Sequence, residues 1–142
     1  MTIPDHIAAL DVGAKRIGVA IAQVDARLAS PLITLNATSD NLIDELRALI
    51  EQQAIGLLIV GLPRGLDGQE TAQTASARGF AARLSVLELP VVMQDEALTS
   101  RLAEAELEAR GTSYQNGDVD ALAATYILQD YLAEHATTGV AA

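Results

Sequence analysis

Residues Ile7 to Ala22 read IAALDVGAKRIGVAIA, two apolar runs with Asp11 closing the first and a Gly-Ala-Lys-Arg turn between them. Ile7, Ala8, Ala9 and Leu10 are apolar without alternation, the pattern of a strand buried on both faces of a sheet. The second run, Ile17 to Ala22, follows closely, so the two read as an antiparallel hairpin with Gly13 and Gly18 flanking the turn. A carboxylate that closes a buried run is costly to desolvate unless a cation, a metal or donors receive it. Asp11 therefore either leans out at the strand end or holds a ligand.

Composition narrows the classes. The chain has 142 residues, half of them apolar, enough to bury roughly two thirds of its unfolded surface without staples. It has no cysteine, which excludes disulfides and thiolate zinc sites and is compatible with a reducing cytoplasm. The N-terminal MTIPDHIAAL carries no basic leader and no apolar run approaches a membrane span, so the expectation is a soluble, cytoplasmic domain with no membrane partner. A net charge of −10 is unfavourable for binding nucleic acid, whose phosphates demand Lys and Arg, unless cations gather locally. Lys15, Arg16 and Arg64 fall in or beside predicted loops, where they could surround one site. Aromatic residues make up 3% of the chain, too few for a platform on which single-stranded bases stack.

Along the chain, strand and helix patterns alternate. Pro31 to Leu35 is a third strand, and a helix is expected from about Asn41 to Gln53, with Leu42, Ile43, Leu46, Leu49 and Ile50 on one face. Gly56 to Gly61 reads as a central strand ended by Pro63, and Arg64 to Gly68 as a loop. An Ala-rich helix spans about Glu70 to Leu87, Pro90 to Met93 is a fifth strand, and a helix starts at Thr99 or Ser100. After a loop from Gly111 to Gly117, the last helix runs from Asp118 to about Glu134. The order fits an α/β fold, one five-stranded mixed sheet flanked by helices.

Acids stand where these elements end: Asp11 after the first strand, Asp95 and Glu96 after the fifth, Asp118 and Asp120 at the start of the last helix. Singly, Asp118 or Asp120 reads as a helix N-cap and the Asp95-Glu96 pair as an ordinary exit into a turn. Together they have the logic of a metal site, because Mg2+ or Mn2+ takes oxygen ligands and a pair of such ions promotes phosphodiester hydrolysis. His6 and His135 sit near the chain ends and Thr99 and Ser100 have no evident base, so none of them is expected to be catalytic.

An Asp, a Gly and a returning hairpin strand occur in both ribonuclease H-like nucleases and actin-like kinases, and the actin-like architecture needs two such domains, for which this chain has no room. ALDVGAKRIGVAIA, IVGLPRGLDGQE, QDEALTSRLAEAEL and VDALAATYILQDYL resemble, in order and across nearly the whole chain, the four signature blocks of the YqgF/RuvX family of ribonuclease H-like proteins. The resemblance implies a ribonuclease H-like nuclease domain over residues 1–136 and a frayed tail over 137–142. It also implies a divalent-metal-dependent endonuclease, often dimeric, acting in Holliday junction resolution or in 5′-end processing of pre-16S rRNA, with branched DNA or precursor rRNA as partner.

By position, the resemblance implies Asp11, Glu96 and Asp120 as catalytic metal ligands, with Asp11 between two Mg2+ or Mn2+ ions and Asp95 and Asp118 as helpers. Lys15, Arg16, Arg64 and Arg101 are the expected substrate-binding cations. The chain departs from the family where Ala97 replaces a customary Arg, with Arg101 a helical turn further on. That departure and the acidic charge support a second reading, a catalytically weak module that docks on nucleic acid or the ribosome.

Overall fold

A computed structural model of the chain describes residues 6–25, 28–65, 67–96 and 116–135, with only the backbone of Glu96 and of residues 116–118. The sheet is built from β1 (His6–Val12), β2 (Arg16–Gln23), β3 (Ala29–Asn36), β4 (Ile55–Pro63) and β5 (Val91–Glu96), in the order β3-β2-β1-β4-β5. β1, β2 and β3 pair antiparallel as a meander, whereas β1, β4 and β5 run parallel. The sheet is therefore mixed, as the sequence pattern indicates.

Helices α1 (Leu42–Gln53) and α2 (Ala72–Arg83) supply the crossovers, and α3 (Asn116–Glu134) ends the described chain. The helix-period face of α1 buries Leu42 and Leu46 in one core, together with Ala8, Leu10, Ile17, Val19, Leu58 and Val60 from the strands and Phe80 from α2. The opposite face of the sheet presents Ile7, Ala9, Ala20, Ala22 and Ile59 to Ala124, Ile127 and Leu128 of α3. Successive strand residues alternate between these two cores, as the pleat requires. The small side chains on the α3 face let that helix lie close to the strands.

Several boundaries differ from the sequence reading for physical reasons. β5 continues through Glu96 because its ladder with β4 extends to Leu62↔Asp95 and Pro63↔Glu96, so this pair belongs to the strand and is not an exit into a turn. β1 likewise runs past Asp11, which pairs with Gly18. α2 begins after a Thr71 capping box with Thr74 and stops at Arg83, beyond which Leu84–Leu87 tighten into a 3-10 turn. α3 begins at Asn116, which leaves Asp120 inside the helix and corrects its reading as an N-cap. The helix expected from Thr99 or Ser100, Ala97, Arg101 and most of the Gly111–Gly117 loop lie outside the described residues, as does the 137–142 tail.

Candidate active site

Strand alternation assembles the site. Odd residues of β1 and even residues of β2 face α3, which puts Asp11 on the same side of the sheet as Arg16 and Gly18. Gly18 is not a turn residue. It lies within β2 directly opposite Asp11, and a Cβ built on it would stand 1.9 Å from the backbone oxygen of Asp120 and 2.7 Å from the nitrogen of Ala121. Only a residue without a side chain lets α3 approach there. Gly18 thereby brings Asp120 to the strand that neighbours Asp11, although the two acids lie at opposite ends of the sequence.

Both acids line one open cavity of about 520 Å³ at the carboxyl ends of the parallel strands. Asp11 is partly buried, and the Asp120 side chain is 22% exposed. Arg16, the first residue of β2, donates from Nε to Asp120 Oδ2 at 2.6 Å. A guanidinium held to a carboxylate at that distance is a strong, charge-assisted contact that fixes the helix to the hairpin. The intervening turn closes with Gly13 N–H donating to Arg16 O at 2.9 Å, and Ala37 N–H donates to Lys15 O at 2.9 Å, anchoring the turn to the end of β3. Gly13 and Ala14 line the cavity, and Lys15 follows them, exposed to solvent.

The other expected site residues separate. Arg64, following β4, donates to Asp95 Oδ1 from Nη2 at 3.0 Å and to Glu70 Oε2 from Nη1 at 3.3 Å. Arg78 joins the cluster by a 2.6 Å contact to Glu70, whose carboxyl is held below the ordinary glutamate range chiefly by that hydrogen bond. Asp95 and Arg64 thus belong to a surface ion cluster beside α2, with Asp95 69% exposed. Glu96 has its backbone at the last rung of β5, and Asp118 lies in the first turn of α3; the side chains of both are outside the described set, as is Arg101. Among the described residues no group of three His, Asp or Glu side chains gathers around a common point. His6 accepts a local role, its Nδ1 lying 2.7 Å from Gln53 O, and His135 stacks on Tyr131 at the end of α3.

The far wall of the cavity escaped the sequence reading, which saw only an Ala-rich helix. Gln73, Ser76, Phe80 and Arg83 of α2 all line it. Their spacing of three, four and three is a helical stripe, and that polar stripe beside the buried Thr74, Ala77 and Phe80 was the available signal. Arg83 lies over the Phe80 ring, 5.6 Å from its centroid. The cavity therefore has an acidic wall built by β1 and α3 and a donor-bearing wall built by α2.

Comparison with known proteins agrees with this architecture. Residues 5–134 match the family described as RuvX, Holliday junction resolvase. A Chloroflexus aurantiacus protein named "Putative pre-16S rRNA nuclease" is 42% identical over 130 residues, which is 89% of this chain and 85% of that protein. A Crocosphaera subtropica protein of the same name is 42% identical over 127 residues, 87% of this chain and 89% of its own. Among solved structures, Thermus thermophilus RuvC in complex with Holliday junction substrate aligns with a TM-score of 0.53 at 16% identity, over 91% of this chain and 95% of that one. At that identity the likeness is one of fold, and the fold is ribonuclease H-like. The matched blocks, the mixed sheet and the extent of the similarity place this chain in the RuvX family, a family of nucleases.

Proposed function

We propose that the chain is a divalent-metal-dependent endonuclease that hydrolyses phosphodiester bonds in precursor rRNA or branched DNA, with Asp11 and Asp120 at its reaction centre. The observation that carries this reading is the Gly18 contact, which seats the Asp120 turn of α3 against the strand paired with Asp11 and opens both acids to one cavity. The names of the 42% identical relatives favour pre-16S rRNA as substrate, and the family description favours the Holliday junction.

The donor chemistry fits a hard cation. Carboxylate oxygens are what Mg2+ and Mn2+ prefer, and the cavity wall supplies two, with Glu96 at the end of β5 as the third proposed ligand. When bound, such an ion polarises a phosphoryl oxygen and lowers the pKa of water. The chain's own groups do the rest. Among the described residues Arg16 meets Asp120 through Nε, which orients that carboxylate and keeps its Nη donors for a phosphate oxygen. Lys15, in the exposed turn, adds positive charge at the approach to the acids and offsets part of their repulsion of the substrate. Pro63 and the α2 stripe wall the cavity opposite the acids and restrict the direction from which a strand enters.

Labelled four-way junction DNA and a precursor rRNA fragment, incubated side by side with Mg2+, Mn2+ or chelator, test the proposal. Cleavage that requires the ion is expected, and the preferred substrate emerges from the same gel. Tight binding with no cleavage in either ion would replace the nuclease with the docking module.

A further inference from the structure

The five arginines whose side chains are described divide unevenly. Arg16, Arg47, Arg64 and Arg78 each hold an aspartate or glutamate, at distances from 2.6 to 3.7 Å. Arg83 holds none among the described residues; its one described contact is the face of Phe80. It also lines the cavity that contains Asp11 and Asp120. In a chain of net charge −10, a cation left without an acid on the wall of that cavity is conspicuous.

We infer that Arg83, with Ser76 about two turns and Gln73 about three turns before it on the same face of α2, forms a phosphate-binding stripe that grips the substrate strand beside the phosphate being cut. This inference rests on the nuclease reading for the identity of the strand and extends it to the opposite wall. The guanidinium carbon stands over the Phe80 ring at 5.6 Å and meets no carboxylate among the described residues, so its N–H donors can make bidentate contact with phosphate oxygens. Ser76 and Gln73 add neutral donors that can reach phosphate or sugar without repelling it. Phe80 is 7% exposed, so it serves as the shelf under Arg83 and not as a stacking surface for a base. The division of labour follows from charge: the acidic wall needs a cation before it can accept a phosphate, whereas the α2 wall accepts one directly.

Arg83 also ends α2, where a cation favours the helix dipole, and a purely structural role would stop there. Binding separates the two roles. Fluorescence anisotropy of a labelled four-way junction and of a labelled precursor rRNA fragment is measured in chelator across a salt series, for the natural chain, Arg83→Gln and Arg83→Lys. If Arg83 contacts phosphate, Arg83→Gln weakens binding about tenfold at low salt and lowers the slope of log affinity against log salt by about one, and Arg83→Lys restores most of the slope. Thermal melting of the three proteins shows whether each folds. An unchanged slope in folded Arg83→Gln, equal behaviour of the Gln and Lys variants, or no binding by the natural chain overturns the inference. Failure of the nuclease reading looks different: no cleavage by the natural chain in Mg2+ or Mn2+, with the slope still falling in Arg83→Gln.

Discussion

Two arginine-carboxylate contacts stand at the same end of the sheet, where the parallel strands finish, and do different work. On the α3 side, Arg16 meets Asp120 at 2.6 Å, with the carboxylate 22% exposed and lining the cavity beside Asp11. On the α2 side, Arg64 bridges Asp95 and Glu70, and Asp95 is 69% exposed. Both pairs tie a strand end to a neighbouring element, and residue types alone do not tell them apart. What separates them is the strand face. Asp11 shares a face with Gly18, which admits a helix backbone, whereas Asp95 sits on the neighbouring strand position to the buried Gln94, whose amide donates to Glu134 of α3 at 2.5 Å. An acid becomes part of a site when its face of the sheet carries a gap that another element fills without covering it.

The contrast is broken most severely at Gly18. Gly18→Ala places a methyl group on the backbone of Asp120 and Ala121, atoms that cannot rotate away, and α3 must lift from β2. A loss of about 3 kcal/mol in urea denaturation is expected, at the upper end of the usual cost of overpacking. If Gly18→Ala unfolds at the same urea concentration as the natural chain, the close seating of α3 is wrong.

The surface cluster offers the opposite outcome. Arg64→Gln removes contacts to partly exposed acids and is expected to change stability by less than about 1 kcal/mol. Its signature is in pH. The Glu70 carboxyl is depressed in the fold by Arg78 first and by Arg64 to a smaller degree, so the cluster's contribution is present above the ordinary glutamate range and fades as pH falls through the lowered value. Melting profiles of Glu70→Gln are expected to lack that acid-side loss, and a profile parallel to the natural chain would remove the cluster from the account.

The smallest effect lies at the other end of α3. Burial, and then the nearby Glu134, raise the Asp130 carboxyl above its ordinary value. The charged form is disfavoured in the fold, so stability falls as pH rises through the aspartate range. Asp130→Asn is expected to raise the melting temperature slightly at neutral pH, worth about 0.5 kcal/mol or less for so exposed a position, and to lose the gain in acid. A neutral-pH melt unchanged or lowered would count against it.

The hairpin, the mixed sheet and the helical faces of α1 were legible because apolar spacing records burial directly. Asp11 was legible for the same reason, as an acid that interrupts a buried run. Gly18 was visible only as a glycine near a turn, since what it permits is a contact with residues far along the chain. Asp120 read as a cap because α3 starts earlier than its apolar residues suggest. Asp95 and Glu96 looked like an exit because Pro90 to Met93 carries the apolar signal of β5, whereas its last rungs are set by pairing with Leu62 and Pro63. The α2 wall was hidden because Gln73, Ser76 and Arg83 have the composition of an ordinary solvated face, and only the cavity gives them a common direction.

The comparison between the α3-side and α2-side contacts comes down to one assay. Asp11→Asn, Asp120→Asn and Asp95→Asn, each keeping side-chain size and removing one charge, are compared with the natural chain for cleavage of precursor rRNA and four-way junction DNA in Mn2+. Loss of at least about a hundredfold in the first two, with Asp95→Asn retaining most of the natural rate, is the expected result, since electrostatic groups at a reaction centre are worth that much and surface pairs are not. Equal cleavage by Asp11→Asn and Asp95→Asn would contradict the assignment of the reaction centre to the acids gathered around Gly18.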